Sequence, residues 1–295
     1  MTLIDLITAQ SARLKQAGVC FGHGTTNAFD ESAWLVLWAL GLPLESLETR
    51  AQQSLDAADQ ARAEALVTRR IEARQPAAYL TQEAWLQNVP FFVDERVLVP
   101  RSYIAELLAD AEGEGILDAW LSDRTLRVLD LCTGSGCLAV IAALAYPEVS
   151  VDAADISAPA LEVARINVAK HALGQRIHIL QSDLFAQVRG PYDLILCNPP
   201  YVNSTSMNAL PDEYRAEPAL ALQGGPDGMD LVRTIIRDAP RHMTSDAVLV
   251  LEIGHEREHF DAAFPRLEVA WLETSGGDDQ VLLATHEALQ RWGAR

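Results

Sequence analysis

Four residues at the end of an apolar run, Asn198, Pro199, Pro200 and Tyr201, are suited to holding a planar NH₂ group still. A residue before proline is pushed out of helical space, and each proline fixes its own φ, so this segment is extended and stiff. Asn198 offers a side-chain carbonyl, Pro199 a backbone carbonyl and Tyr201 a flat face. An amide or ring NH₂ nitrogen is a poor nucleophile because its lone pair is delocalised. Two fixed acceptors localise that density and aim it at an electrophilic methyl group, so positioning and electrostatics carry the reaction rather than a general base. No histidine is required.

A second stretch, DLCTGSGCLAV, runs from Asp130 to Val140. Gly134 and Gly136 permit a tight strand-to-helix turn, and the N–H groups of the following helix can hold an anion. The loop Asp130, Cys132, Thr133, Gly134, Ser135 and Gly136 could therefore cradle the carboxylate of S-adenosylmethionine. A dinucleotide pyrophosphate fits as well, because Gly134, Gly136 and Ala139 satisfy G-x-G-x-x-A. Asp155 follows about 20 residues later, where a carboxylate accepts from two ribose hydroxyls in either cofactor. Asp183 could accept from an adenine amino group or cap a helix, and its neighbour Leu184 would form an apolar wall beside the adenine.

The elements that must position these residues follow from period and punctuation. LRVLDLC, VSVDAADI, IHILQSDL, YDLILCN and AVLVLEIG read as five strands, with helical segments between the first three. This βαβαβ rhythm predicts an α/β fold with a doubly wound, mostly parallel sheet, whose ligands sit beyond the strand C-termini. LEVAWLETSGGDDQVLLATH reads as an antiparallel edge hairpin closed by a Gly-Asp turn. Residues 1–77 have helical spacing, with Asp30 as a cap for FDESAWLVLWAL. Residues 78–102 read as a short hairpin, broken near Asn88-Val89-Pro90, and a linker. The catalytic domain is expected over 103–295.

Composition narrows the function. The chain has 295 residues and a net charge of −18, which repels polyphosphate and favours basic partners, so direct sequence-specific nucleic-acid binding is not expected. Its longest nearly apolar run, AWLVLWALGLPL, is about 12 residues, below the roughly 20 needed to span a bilayer, so no membrane association is expected. No secretory signal is visible, and four cysteines without C-x-x-C spacing fit free thiols in the cytoplasm.

Taken together, DLCTGSG, Asp155, Asp183 and NPPY resemble the class I S-adenosylmethionine-dependent methyltransferases, in the Rossmann-like branch that methylates amide or exocyclic amino nitrogens. RRIEARQPAAYLTQEAW, FFVDERVLVPRS and EPALALQGGPDGMDL extend the resemblance to the protein glutamine N5-methyltransferases (HemK/PrmC-like) over nearly the whole chain. Release-factor enzymes usually read VPRPET where this chain has VPRSYI, whereas GVCFGHGT and VPRS resemble the PrmB type, which acts on the third protein of the large ribosomal subunit.

The resemblance implies that Thr133 to Gly136 and Asp155 bind S-adenosylmethionine, that Asn198 touches cofactor and substrate, and that Asn198 to Tyr201 hold the glutamine. Release-factor enzymes often carry an aromatic residue at Leu184. The N-terminal region would choose the protein partner, free or as an assembly intermediate.

Competing readings are an adenine-N6 methyltransferase, which shares NPPY but would bring a basic surface, and a non-enzymatic assembly factor on an old fold. HEREH, His255 to His259, matches the zinc motif H-E-x-x-H. It directly follows a strand, and a solvated helix start is the expectation, with no metal site. Gln223, Gly224 and Gly225 fit a substrate loop and a surface turn equally.

Overall fold

The computed structural model describes residues 1–108, 116–122 and 124–294. Helices Leu3–Gln16, Ala28–Ala39, Ser46–Arg50, Ala57–Ala73 and Ala77–Thr81 form the N-terminal part. The helix expected from Asp30 begins earlier, because the Asn27 side chain accepts from the N–H groups of Phe29 and Asp30 and is the cap. Its apolar residues Leu35, Val36 and Leu37 are buried, as expected of a core helix rather than a span. Among the described residues no helix is long and apolar enough to cross a membrane.

Strands β1 (Ala84–Leu86) and β2 (Val89–Phe91) form the expected short hairpin. Its turn lies at Gln87 and Asn88, both left-handed, which is the geometry that matches strand twist. Pro90 therefore sits inside β2 opposite Trp85, tolerated because a two-stranded ribbon leaves an edge free of ladder bonds.

The main sheet contains β3 (Arg127–Leu131), β4 (Ser150–Asp155), β5 (Ile177–Gln181), β6 (Tyr192–Cys197), β7 (Met243–Glu252), β8 (Ala270–Thr274) and β9 (Gly277–Thr285). Its order is β5-β4-β3-β6-β7-β9-β8, parallel through β7 and antiparallel at β9 and β8. Each of the five strands read from the sequence is present, and the order reverses between β3 and β6, where a crevice must open. The edge hairpin also forms, but Thr274 pairs with Gly277, so its turn is Ser275-Gly276 rather than Gly-Asp. A Cβ on Gly276 would collide with the Tyr103 ring, which explains why glycine occupies the corner.

Apolar runs on both faces of β3, β4, β6 and β7 give two cores. One, around Val128, Val140 and Ile104, joins the sheet to the N-terminal helices; the other, around Ile195, Leu249 and Ile235, lies on the opposite face. The four cysteines are free.

Candidate active site

The strand ends converge on two adjoining cavities. The first is lined by Cys132, Gly134, Asp155, Asp183, Leu184 and Asn198, with Leu98, Ala221 and Leu231 as further apolar wall. The second is lined by Asn198, Pro199 and Tyr201 together with Gly22, Thr26, Arg101, Tyr103, Tyr214 and Glu252. Asn198 borders both cavities, so one residue is shared between them.

In the first cavity, Asp155 ends β4 and is fixed by backbone donors. Its Oδ2 accepts from Gly134 N at 2.9 Å and its Oδ1 from Ser157 N at 2.8 Å. A carboxylate has about four lone-pair sites, so each oxygen keeps one that could accept a further donor from the cleft. Burial raises its carboxyl against the backbone bonds from Ser157, Gly134 and Ile156. Asp183 does not cap a helix; its side chain is exposed to the cleft. Leu184 is half-buried at φ 45°, and Cys132 lies at φ 63°. Two non-glycine residues in left-handed geometry are thus held in one cleft wall, as is common at ligand sites.

The rest of the glycine loop shapes the cleft from behind. Asp130 is buried beneath it, not among the lining residues, and its Oδ2 accepts from the Thr133 hydroxyl and from Ala139 N at 2.9 Å. Burial pushes its carboxyl up to about 7 against those bonds. Ser135 is buried with its carbonyl accepting from Asn167 Nδ2 at 2.9 Å. Gly136 caps helix Cys137–Ala145 at φ 79°, where an added Cβ would press on Ala164 at 3.2 Å. Thr133, Ser135 and Gly136 therefore set the backbone that Gly134 presents.

In the second cavity, the extended NPPY segment is held from three sides. Val202 N donates to Leu222 O and Gly224 N to Val202 O, so the glycine-rich loop pairs with the residue after Tyr201. A Cβ on Gly224 would lie 2.6 Å from Tyr201 Cα, and one on Gly254 2.5 Å from Tyr201 Cε2. The ambiguous Gln223–Gly225 turn is thus a buttress of NPPY. The Tyr201 hydroxyl donates to Glu252 Oε1 at 3.2 Å.

Sequence reasoning missed several of these groups. Arg101 donates to both carboxylate oxygens of Glu217, at 2.6 and 2.7 Å, and Val99 N donates to the same side chain at 2.9 Å. Burial would raise Glu217, but Arg101 and His23 outweigh it and hold its carboxyl down at about 2. His23 is buried 3.4 Å from Glu217, and its ring lies 4.3 Å from that of Tyr214. Farther back, Arg70 donates to Glu31 at 2.8 Å and Glu213 at 3.2 Å, tying the helix Ala57–Ala73 to the segment after NPPY. The signals were acids inside EPAL and EIG, residues that become partners only in three dimensions.

The HEREH segment does not place its histidines on one helical face, because the helix starts at Arg257. Glu256 instead accepts from Asn203 Nδ2 at 2.7 Å and contacts His259 Nδ1 at 2.5 Å. His255 borders the second cavity. Among the described residues no side-chain cluster could hold a metal ion.

Comparisons with known proteins converge on the same chemistry. The Methyltransferase small domain family matches residues 110–213 and the PrmC N-terminal domain family residues 5–81. The ribosomal protein uL3 glutamine methyltransferase of Bordetella pertussis is 53% identical over 98% of this chain and 96% of its own. Its namesake from Burkholderia pseudomallei is 50% identical over 96% and 94%, and that from Neisseria gonorrhoeae 47% over 98% and 95%. With relatives this similar along almost the full length, the chain belongs to the family of ribosomal protein uL3 glutamine methyltransferases.

Proposed function

We propose that this protein transfers a methyl group from S-adenosylmethionine to the N5 side-chain amide nitrogen of a glutamine in ribosomal protein uL3, in the cytoplasm. The observation that carries this reading is Asn198, which borders a cleft suited to a nucleoside and a cavity suited to an amide. In the cleft, Asp155 has a lone pair on each oxygen for the ribose, Asp183 offers an acceptor for the adenine amino group, and Leu184 supplies apolar wall. Gly134 lets the backbone approach the amino-acid end. Bound S-adenosylmethionine supplies a methyl group activated by a sulfonium charge. Asn198 Oδ1 and the Pro199 carbonyl hold the glutamine NH₂ and orient its lone pair.

The partner is basic, as ribosomal proteins are, and the charge of this chain is complementary to it. Most of that charge lies in the catalytic part, since residues 1–77 carry nine acidic against seven basic side chains. The N-terminal helices of residues 1–77 choose the partner through shape, and Gly22 and Thr26 reach the second cavity. Incubation with methyl-labelled S-adenosylmethionine and, separately, unmethylated uL3, release factor, DNA and RNA tests the reading. Label on a uL3 glutamine, located by mass spectrometry, is expected; label on adenine or release factor would replace this reading.

A further inference from the structure

Glu252 ends β7, one strand beyond the NPPY strand, and borders the cavity assigned to the glutamine. It is 2% exposed. Three donors converge on it: the Ser102 hydroxyl at 2.6 Å and Tyr103 N at 2.9 Å on Oε2, and the Tyr201 hydroxyl at 3.2 Å on Oε1. All three give hydrogens, so the form that fits is the carboxylate. Among the described residues, however, no cation lies within ion-pair distance of Glu252, since Arg101 is committed to Glu217. A buried carboxylate without a counter-charge is costly and is retained where something positive arrives.

The positive group follows from the proposed chemistry, on which this inference rests. Methylation leaves the amide nitrogen cationic, with one N–H more than the neutral product. From the geometry we infer that Glu252 is the counter-charge of the methylated nitrogen and the acceptor of its proton, with the Tyr201 hydroxyl as relay. In that step one N–H bond breaks and its electron pair stays on nitrogen. The proton passes to the Tyr201 oxygen while the Tyr201 proton moves to Glu252 Oε1, leaving neutral tyrosine, a carboxylic acid and a neutral methyl amide. Ser102 and Tyr103 N fix Oε2 and thereby aim Oε1 at the tyrosine.

Burial raises the Glu252 carboxyl above its ordinary value against the hydrogen bonds from Ser102, Tyr103, Tyr201 and the Ile104 backbone. The titratable and charged groups around it are Tyr201, Tyr103 and Arg101 on the adjoining segments, with Tyr214 and His255 across the cavity. As pH falls through the raised value, the acceptor fills with a solvent proton and turnover should fall with it.

Glu252→Gln keeps the shape and removes the charge. Expected is a kcat roughly 100-fold lower with KM for uL3 within about threefold, and loss of the acid limb seen in the unaltered protein. Without ligands, its thermal midpoint at about pH 8 should equal or exceed that of the unaltered protein, because a raised carboxyl opposes folding there. Ser102→Ala should slow turnover while keeping the acid limb.

A kcat within twofold for Glu252→Gln, an acid limb retained in it, or a lower thermal midpoint at both about pH 4 and about pH 8 would overturn the inference. If that variant does not fold, the unaltered protein decides, since turnover that stays flat as pH falls from neutral to the acid limit of its folded state also overturns it. Failure of the unaltered protein to methylate uL3 would instead reject the proposed function.

Discussion

Arg101 holds Glu217 through both terminal nitrogens, at 2.6 and 2.7 Å, and so joins the VPRS segment to the EPAL segment behind the second cavity, which Arg101 lines. The Glu217 side chain is fully buried. Arg101→Ala should cost about 3–5 kcal/mol, because it leaves a buried charge without its partner. Urea denaturation at neutral pH measures this.

The same pair predicts a pH dependence. Glu217 has a lowered carboxyl, so its contribution is present above the ordinary value of 4.5 and is lost as pH falls toward about 2. Thermal midpoints should decline across that window, and Arg101→Ala should flatten this part of the decline.

Asp130 behaves in the opposite sense. Its carboxyl is raised from 3.8 to about 7, so stability is highest below the lower value and falls as pH rises through the upper one. The slope corresponds to about 1.4 kcal/mol for each unit separating folded and unfolded values. Asp130→Asn should remove that slope between about pH 4 and about pH 7 in denaturation curves.

Asn198→Ala should lower kcat by about 100-fold or more, the scale of losing a positioned polar group in a reaction centre. Cofactor affinity should fall much less, because Asp155, Asp183 and Gly134 remain. Calorimetric titration with S-adenosylmethionine and single-turnover methylation separate the two effects, and unchanged turnover would remove Asn198 from the assignment.

Gly254→Ala places a methyl group 2.5 Å from the Tyr201 ring at φ 53°. Overpacking should cost about 1–3 kcal/mol, and kcat should drop because Tyr201 must move. Gly174→Ala, which meets nothing within 4 Å, is the matched control for melting temperature and turnover.

These groups differ in how visible they were in the chain. Asn198, Asp155 and Asp183 sit at strand ends, where hydrophobic period and strand topology already indicate a crevice. Asp130 reads as part of the same glycine motif, yet its side chain points beneath the loop, a direction that motif spacing does not encode. Glu252 lies within AVLVLEIG, which reads as a plain buried strand; its single acid was the available signal. Ser102 and Glu252 are 150 residues apart. Their contact depends on the register of β7 against β6 and on the path of the 99–103 segment, neither of which a local pattern carries. The expectation that NPPY acts without a base concerns the methyl transfer itself, whereas the role inferred for Glu252 concerns the proton that follows.

Gly22 and Thr26 come from the helical N-terminal part, yet they border the cavity that also contains Asn198 and Tyr201. On the proposed assignment, recognition and chemistry therefore share one cavity wall. Grafting the first 77 residues of a relative onto this catalytic part would exchange a piece of the reaction chamber along with the docking surface. On that assignment, an exchange of partner would also alter the wall beside the reacting amide, which ties the choice of target to the upkeep of turnover.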